Sequence, residues 1–448
     1  MTEQGNMTSD VVYLLKQMKD QDVRFLRLWF TDIVGALKSI AVTAGGFEDV
    51  LLDGISFDGS SINGLARADE SDLIAVPDPS TFAILPWRPS EQSVARVYAD
   101  LMTPAGQPHH GDPRWILKKQ IERARELGFT FYASAELEFF LLREDDGQPK
   151  PIDGAGYFDQ DAAALGIEVR RDIILTLEQM GIAVGSSHHE GAPGQQEIGL
   201  QHADGLRMAD AIQAARYVTR EIARRHGLLA TFMPRPVAKV NGSGMHMGLS
   251  LYQDDQNAFY EEDAPLGLST VARAFVAGIL SHARESSAVL NQWVNSYRRL
   301  VPGTEAPTYI SWAQTNRADM VRVPACRKGR EQSTRVEVRS PDSGCNPYLV
   351  LAVLLASGLD GIERALEPPN PATRNVFDMS DAERAEAGIE RLPEDLGEAI
   401  HRASKGNFLE TVLGPDTWAL FLENKRLEWA EYRTHVSDWE ISRYLGVL

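Results

Sequence analysis

Cysteine is nearly absent from this chain, with two residues in 448, Cys326 and Cys345. Two thiols make no disulfide framework, and their spacing is not that of a CxxC metal or redox pair. A reducing, cytoplasmic location is expected. Positive charge is also short: 45 Lys and Arg stand against 63 Asp and Glu, for a formal net charge of −18. Generic binding to nucleic acid or to an anionic membrane is therefore not expected. No run approaches the roughly 18 apolar residues of a membrane span. The stretch MTEQGNMTSDVVYLL lacks the basic segment and apolar run of a signal peptide. Neither GxxxxGK[ST] nor GxGxxG occurs, so a P-loop and a dinucleotide fingerprint are both excluded. Internal repeats and low-complexity tracts are missing too.

The chain does have an ordinary globular balance, 43% hydrophobic and 24% charged, and enough length for two or three domains. SDVVYLLKQMKDQDV predicts an amphipathic helix capped by Ser9 or Asp10. RFLRLWFTDIVGALKSIAV predicts two strands around a turn near Asp32–Gly35, and LIAVPDPSTFAILPW and SVARVYADLM predict further strands. Residues 1–107 are expected to form a small strand-rich domain with one helix. Asp112 and Pro113 suit the cap and first position of a helix closed by Gly128. Residues 108–448 are expected to form a large α+β domain. Its long helices would include STVARAFVAGILSHARESSAVLNQWVNSY and the buried PYLVLAVLLASGLDGIERAL.

Four segments concentrate chemistry. In ASAELEFFLL, Glu136 and Glu138 are two apart on an apolar strand, so both carboxylates face one side. Adjacent buried carboxylates repel unless a cation joins them. In SSHHEGAPGQQEIGL, a Gly-Ala-Pro-Gly turn can bring Glu190 and Glu197 together, although an acidic surface loop reads the same way. In MPRPVAKVNGSGMHMGLSL, Asn241 and Gly242 precede His246; alone, a histidine there is more often a satisfied core residue than a ligand. The fourth segment, residues 295–342, carries Arg299, Arg317, Arg322, Arg335 and Arg339, a dense set in an acidic protein and suited to phosphate and carboxylate. Within it, STRVEVRSPD alternates Arg335, Glu337 and Arg339 with two valines. Oxygen-rich ligands favour Mg²⁺ or Mn²⁺ over zinc. Divalent cations with arginines are the apparatus of phosphoryl transfer. These residues point to a metal-dependent, ATP-using enzyme.

The same segments, in this order, resemble the type I glutamine synthetase family. The likeness spans almost the whole chain, from FTDIVGALKS and FDGSSING through AELEFF, HHEGAPGQQE, NGSGMH and NSYRRLVPGTEAP to RVEVRSPD and NPYL. It implies a β-grasp domain followed by a catalytic domain with an open, barrel-like funnel. It also implies ligation of ammonia to L-glutamate with ATP, through a γ-glutamyl phosphate. By that resemblance Glu138, Glu190 and Glu197 hold one metal, and Glu136, His246 and Glu337 a second. Glutamate would meet Asn241, Gly242, Arg299, Glu305 and Arg339. ATP would meet Ser250, Arg322 and Arg335, with Arg317 at the transferring phosphoryl group. Asp58 would deprotonate ammonium in a cage with Ser61, Tyr157, Glu190 and Glu305. The family forms two stacked six-membered rings with sites between subunits, and WEISRYLGVL would be the strap gripping the opposite ring; a helix docked within one subunit is the alternative.

Some positions depart from the family pattern. Thr304 stands where a tyrosine is common, Ala238-Lys239 where Phe-Gly is common, Gly191 where valine is common, and Ser340 replaces the phenylalanine of a common EVRFPD. These changes open space, so a γ-glutamyl-amine ligase acting on a polyamine or ethanolamine is the second expectation. A structural relative without catalysis and a metal-dependent hydrolase are rivals of other classes. Phe377 occupies the place of a tyrosine that some members adenylylate, so no control of that kind is expected here. Arg67 resembles a feedback-linked arginine.

Overall fold

The computed structural model describes residues 9–60, 62, 72–89, 91–316 and 318–448. Ser61, Arg67 and Arg317 lie outside the described residues. The first unit is a five-stranded sheet of β1 (Val23–Thr31), β2 (Leu37–Thr43), β3 (Ile55–Asp58), β4 (Asp72–Ile84) and β5 (Ser93–Met102), in the order β2-β1-β5-β4-β3. β1 and β5 run parallel and the other neighbours antiparallel. Among the described residues two helices cover it where one was expected: Ser9–Asp20, and Phe47–Asp53. The second buries Phe47, Val50 and Leu51, an i, i+3, i+4 stripe too short to stand out in the sequence, and Gly54 ends it at φ +75°.

The turn between β1 and β2 fastens this sheet to the rest of the chain. Asp32 Oδ1 accepts from the Ala36 amide at 2.8 Å and the Val34 amide at 3.2 Å. The carbonyls left pointing outward accept from side-chain amides of the second unit. Asn346 Nδ2 donates to Asp32 and Ile33, each at 3.1 Å; Gln292 Nε2 donates to Val34 at 2.7 Å and Gln213 Nε2 to Gly35 at 3.0 Å. Gly35 has φ +89°, and a Cβ there would lie 2.8 Å from Asn346 Cα, so glycine is required by both conformation and contact.

The second unit is built on β6 (Thr130–Asp145), with β7 (Gln148–Pro151), β8 (Val184–His189), β9 (Gln195–Asp204), β10 (Leu229–Thr231), β11 (Met245–Gln253), β12 (Gln256–Asn257), β13 (Trp312–Ala313), β14 (Val321–Arg322) and β15 (Val336–Val338). The sheet order is β13-β14-β15-β11-β6-β9-β8, with β7 and β10 paired to β6 and β12 to β11. It curls into a half-barrel flanked by helices, so the expected β-grasp and funnel architecture holds. Asp112 caps the helix Pro113–Glu126 as expected, accepting from the Arg114 amide at 2.9 Å. The helix Pro347–Glu363 is almost wholly buried. The long helix expected from Ser269 onward is broken: Thr270–Ser281 ends at His282, and Ala283–Leu290 and Ser296–Arg299 follow. At the break the His282 ring stacks on Phe408 and its Nε2 lies 2.8 Å from Asp360 Oδ2. Tertiary partners there override the helical pattern.

Candidate active site

Strand register gathers the chemistry. Glu138 on β6 lies opposite Glu197 on β9, which lies opposite His188 on β8. Glu136, two residues from Glu138, lies opposite His246 on β11. Glu337 on β15 lies opposite Gly248 on β11 and Arg322 on β14. Facing residues on paired strands stand side by side on one face, and period-two alternation carries the set along the sheet. The result is a cavity of about 150 Å³ lined by all six carboxylates Glu136, Glu138, Glu190, Glu197, Glu305 and Glu337. Tyr157, Asn241, Gly242, His246, Arg299, Arg322 and Arg339 also line it.

One ligand atom each from Glu136, Glu197 and His246 can lie within 4.8 Å of one another, and the same holds for His188, Glu190 and Glu197. Glu138 is in neither group, although its Oε1 lies 3.6 Å from His246 Nε2. Its Oε2 instead accepts from the Gly244 amide at 2.9 Å and Gln195 Nε2 at 3.0 Å. Glu337 turns onto Arg339 at 2.6 Å and Arg322 at 3.2 Å. The carboxylate and histidine donors suit a hard or borderline divalent cation.

The electrostatics fit such a cation. Burial raises the Glu138 carboxyl, and the neighbouring Glu190 and Glu197 raise it further. Burial and then Glu197 push Glu190 up to about 7, with Glu305 adding to the effect. Glu136 is different: burial works against its charge, but His246, Arg339 and Arg335 bring it down to about 2. Burial lowers His246, as does Arg339, leaving a neutral imidazole suited to ligation. A folded pKa above the ordinary 4.5 means that Glu190 stabilises the fold when protonated. That contribution is complete below 4.5 and lost as pH rises through about 7. A cation among the carboxylates reverses the penalty. Mg²⁺ is thus expected to raise the thermal midpoint more at about pH 8 than at about pH 6. Equal shifts at both values, read by scanning fluorimetry, would contradict this arrangement.

The alternating charges of residues 335–339 now have places. Glu337 and Arg339 are buried towards the cavity, and Val336 and Val338 are fully buried in the core. Arg335 instead lines a second cavity of about 520 Å³ with Ser250, Tyr252 and Ser134. Glu136 borders both cavities. Arg299 spends its two terminal nitrogens on the Ser340 and Arg339 carbonyls, each at 2.9 Å. Gly242 sits where any Cβ would overlap the Pro234 carbonyl.

Asp58 is not part of this cavity. It ends β3, exposed, and its Oδ1 accepts from the Ser60 hydroxyl at 2.6 Å and the Ser60 amide at 2.9 Å, bonds that lower its pKa. The departures Gly191, Ala238, Lys239, Thr304 and Ser340 are also not among the lining residues. The Thr304 hydroxyl donates to the Val301 carbonyl at 2.8 Å. Phe377 packs edge-on against Tyr309. Two polar lining residues were missed in the sequence, His188 and Gln195. His188 Nε2 lies 3.1 Å from Glu197 Oε1, and Gln195 Nε2 also donates to the Gly242 carbonyl at 3.1 Å. Each precedes a chosen glutamate by two residues, a spacing that placed Glu136 beside Glu138 and applies equally here.

No helix among the described residues is long and apolar enough to cross a membrane. The family model "Glutamine synthetase, beta-Grasp domain" matches residues 22–104, and "Glutamine synthetase, catalytic domain" matches residues 110–444. Glutamine synthetase of Mycobacterium tuberculosis (strain ATCC 25618 / H37Rv) is 49% identical over 440 residues, covering 97% of this chain and 99% of its own. That of Thermotoga maritima is 47% identical over 431 residues, with 96% and 98% covered. A solved structure described as a GmaS/ADP complex superposes with a TM-score of 0.87 at 33% identity, covering 97% of this chain and 99% of its own. A carboxylate-lined cavity in a half-barrel, the β-grasp sheet before it and these relatives agree: the chain belongs to the glutamine synthetase family and is a ligase.

Proposed function

We propose that the chain joins ammonia to the γ-carboxylate of L-glutamate at the expense of ATP, giving glutamine, ADP and phosphate. The observation that carries this reading is the pair of adjoining cavities: a small acidic one with three arginines, and a larger one with Arg335 and Ser250, sharing Glu136 as a wall. Nucleotide would occupy the larger cavity, against Ser250 and Arg335, and reach Arg322 on the wall of the smaller one. Glutamate would lie against Asn241, Gly242, Arg299 and Arg339. Glu138, Glu190 and Glu197 would hold one Mg²⁺ or Mn²⁺, and Glu136, His246 and Glu337 another. Those cations would neutralise phosphate charge during transfer.

A γ-carboxylate oxygen of glutamate attacks the γ-phosphorus of ATP, and the bond to the departing ADP oxygen breaks. Arg317 would stabilise the transferring group. Ammonia then attacks the acyl carbon, the C–O bond to phosphate breaks, and the nitrogen sheds one proton, which the departing phosphate takes up. Asp58, supplied by a neighbouring copy, would take a proton from ammonium, with Ser61, Tyr157, Glu190 and Glu305 around the cation. Glu305 would also close the site against water, which otherwise hydrolyses the acyl phosphate. The exposed Asp58 and the exposed Trp439, Ile441, Tyr444 and Leu445 of the C-terminal segment support an assembly of copies, a dodecamer of two rings. We place the domain boundary between residues 107 and 108.

Ammonia is preferred over an organic amine because the acidic cavity is small, about 150 Å³, and the departures stand outside its lining. Phosphate release with ATP, Mg²⁺ and glutamate is expected to rise strongly with ammonium. Putrescine, spermidine and ethanolamine are expected to give less than about a hundredth of that rate, the discrimination a site shaped for one polar group can reach. A larger response to any of these amines than to ammonium would replace this reading with that of a γ-glutamyl-amine ligase.

A further inference from the structure

A third cavity, of about 360 Å³, opens between the β1–β2 turn and the helix Gly205–Arg225. Arg216, Tyr217 and Arg220 line it from the helix, residues 34–37 from the turn, and Trp293 and Ser343 close it. No Asp or Glu is among the lining residues, in a chain of net charge −18. Arg216 is 4% exposed, yet its Nε has no hydrogen-bond partner. Its Nη2 meets the Met245 sulfur at 3.6 Å, the Cys345 thiol is a second polar neighbour, and the buried Asp342 carboxylate acts on it from beyond ion-pair distance. Arg220 stands exposed one helical turn further on, over the Phe232 ring. Among the described residues neither guanidinium has a carboxylate within ion-pair distance. A buried guanidinium is ordinarily paired, because the lost hydration must be replaced.

We propose that this cavity binds a small oxyanion, a carboxylate or a phosphate, between Arg216 and Arg220. The proposal does not depend on the ligase reading. The cavity does adjoin the acidic site from behind. Met245, which Arg216 touches, separates His246 from Gly244, whose amide holds Glu138. Ser343 on the cavity wall donates to the Gly244 carbonyl at 2.5 Å. An anion here occupies a position from which the metal-site strand can be influenced.

The test is a crystal of the full chain soaked in selenate, whose selenium is located by anomalous scattering. A peak within hydrogen-bonding distance of the Arg216 guanidinium is expected. It should be lost in Arg216→Met and weakened several-fold in Arg220→Ala, an exposed change that leaves folding intact. Inorganic phosphate or succinate should displace it, and which of the two does so identifies the ligand as phosphate or carboxylate. Selenate found only at the other arginines, or a peak that survives Arg220→Ala undiminished, would overturn the proposal. A peak that neither phosphate nor succinate displaces marks an adventitious ion only, and overturns it as well.

Discussion

Glu138→Gln is expected to lower ligase turnover on the order of 10³-fold, equivalent to about 4 kcal/mol of transition-state stabilisation, while making the metal-free protein harder to unfold. Both effects come from one cause. Glu138 is buried between Glu190 and Glu197, and its charge is disfavoured by burial first and by those two carboxylates next. Glutamine keeps the shape and can still accept from the Gly244 amide and Gln195 through its carbonyl oxygen. It removes one negative charge from the cluster, so the unliganded fold loses a repulsion. If Glu138 holds a cation as proposed, the change also removes a ligand charge, so Mg²⁺ should stabilise the variant much less than the parent. A structural residue would show the opposite pairing, lost stability with activity per folded molecule retained. Thermal midpoints with and without Mg²⁺, beside turnover, separate the two.

Arg114→Met is expected to destabilise the fold by about 3–5 kcal/mol, the cost of stranding buried charges. Arg114 is 3% exposed and meets three carboxylates: Asp78 at 2.7 Å, Asp100 at 2.6 Å and Asp210 at 3.1 Å. Asp78 lies on β4, Asp100 on β5, and Asp210 on the helix Gly205–Arg225, so one guanidinium joins the first sheet to the second unit. The Tyr348 hydroxyl donates to Asp210 at 2.6 Å, and the Tyr98 hydroxyl to the Asp210 carbonyl at the same distance. Removing the arginine leaves three acids facing one another beside Asp112, which burial already raises to about 7. The denaturation midpoint in urea measures this. An unchanged midpoint would mean that the turn clamp of Asn346, Gln292 and Gln213 carries the junction alone.

Several strands and most helices were legible because their signals are local. Alternating apolar residues gave β1, β4 and β5, and Asp112-Pro113 gave a helix start. The pair Glu136 and Glu138 was legible from spacing on β6, but the other carboxylates of the cavity came from segments far apart in sequence, and there resemblance supplied what periodicity could not. His188 and Gln195 were missed although their two-residue offsets from Glu190 and Glu197 were visible. The break at His282 was not legible, because Phe408 and Asp360 lie far along the chain. The Arg114 junction was hidden for the same reason: nothing near Arg114 in sequence announces Asp78 or Asp210.

In the proposed reaction glutamate becomes an acyl phosphate before nitrogen attacks. This is tested with glutamate carrying ¹⁸O in its γ-carboxylate, with ATP, Mg²⁺ and ammonium, and mass analysis of the phosphate released. The attacking carboxylate oxygen becomes the bridge to phosphorus and leaves with it. One ¹⁸O in each phosphate formed, matched by one glutamine, is the expected result. Phosphate carrying only solvent or nucleotide oxygen would mean that ATP is hydrolysed without activating glutamate, and would contradict the account.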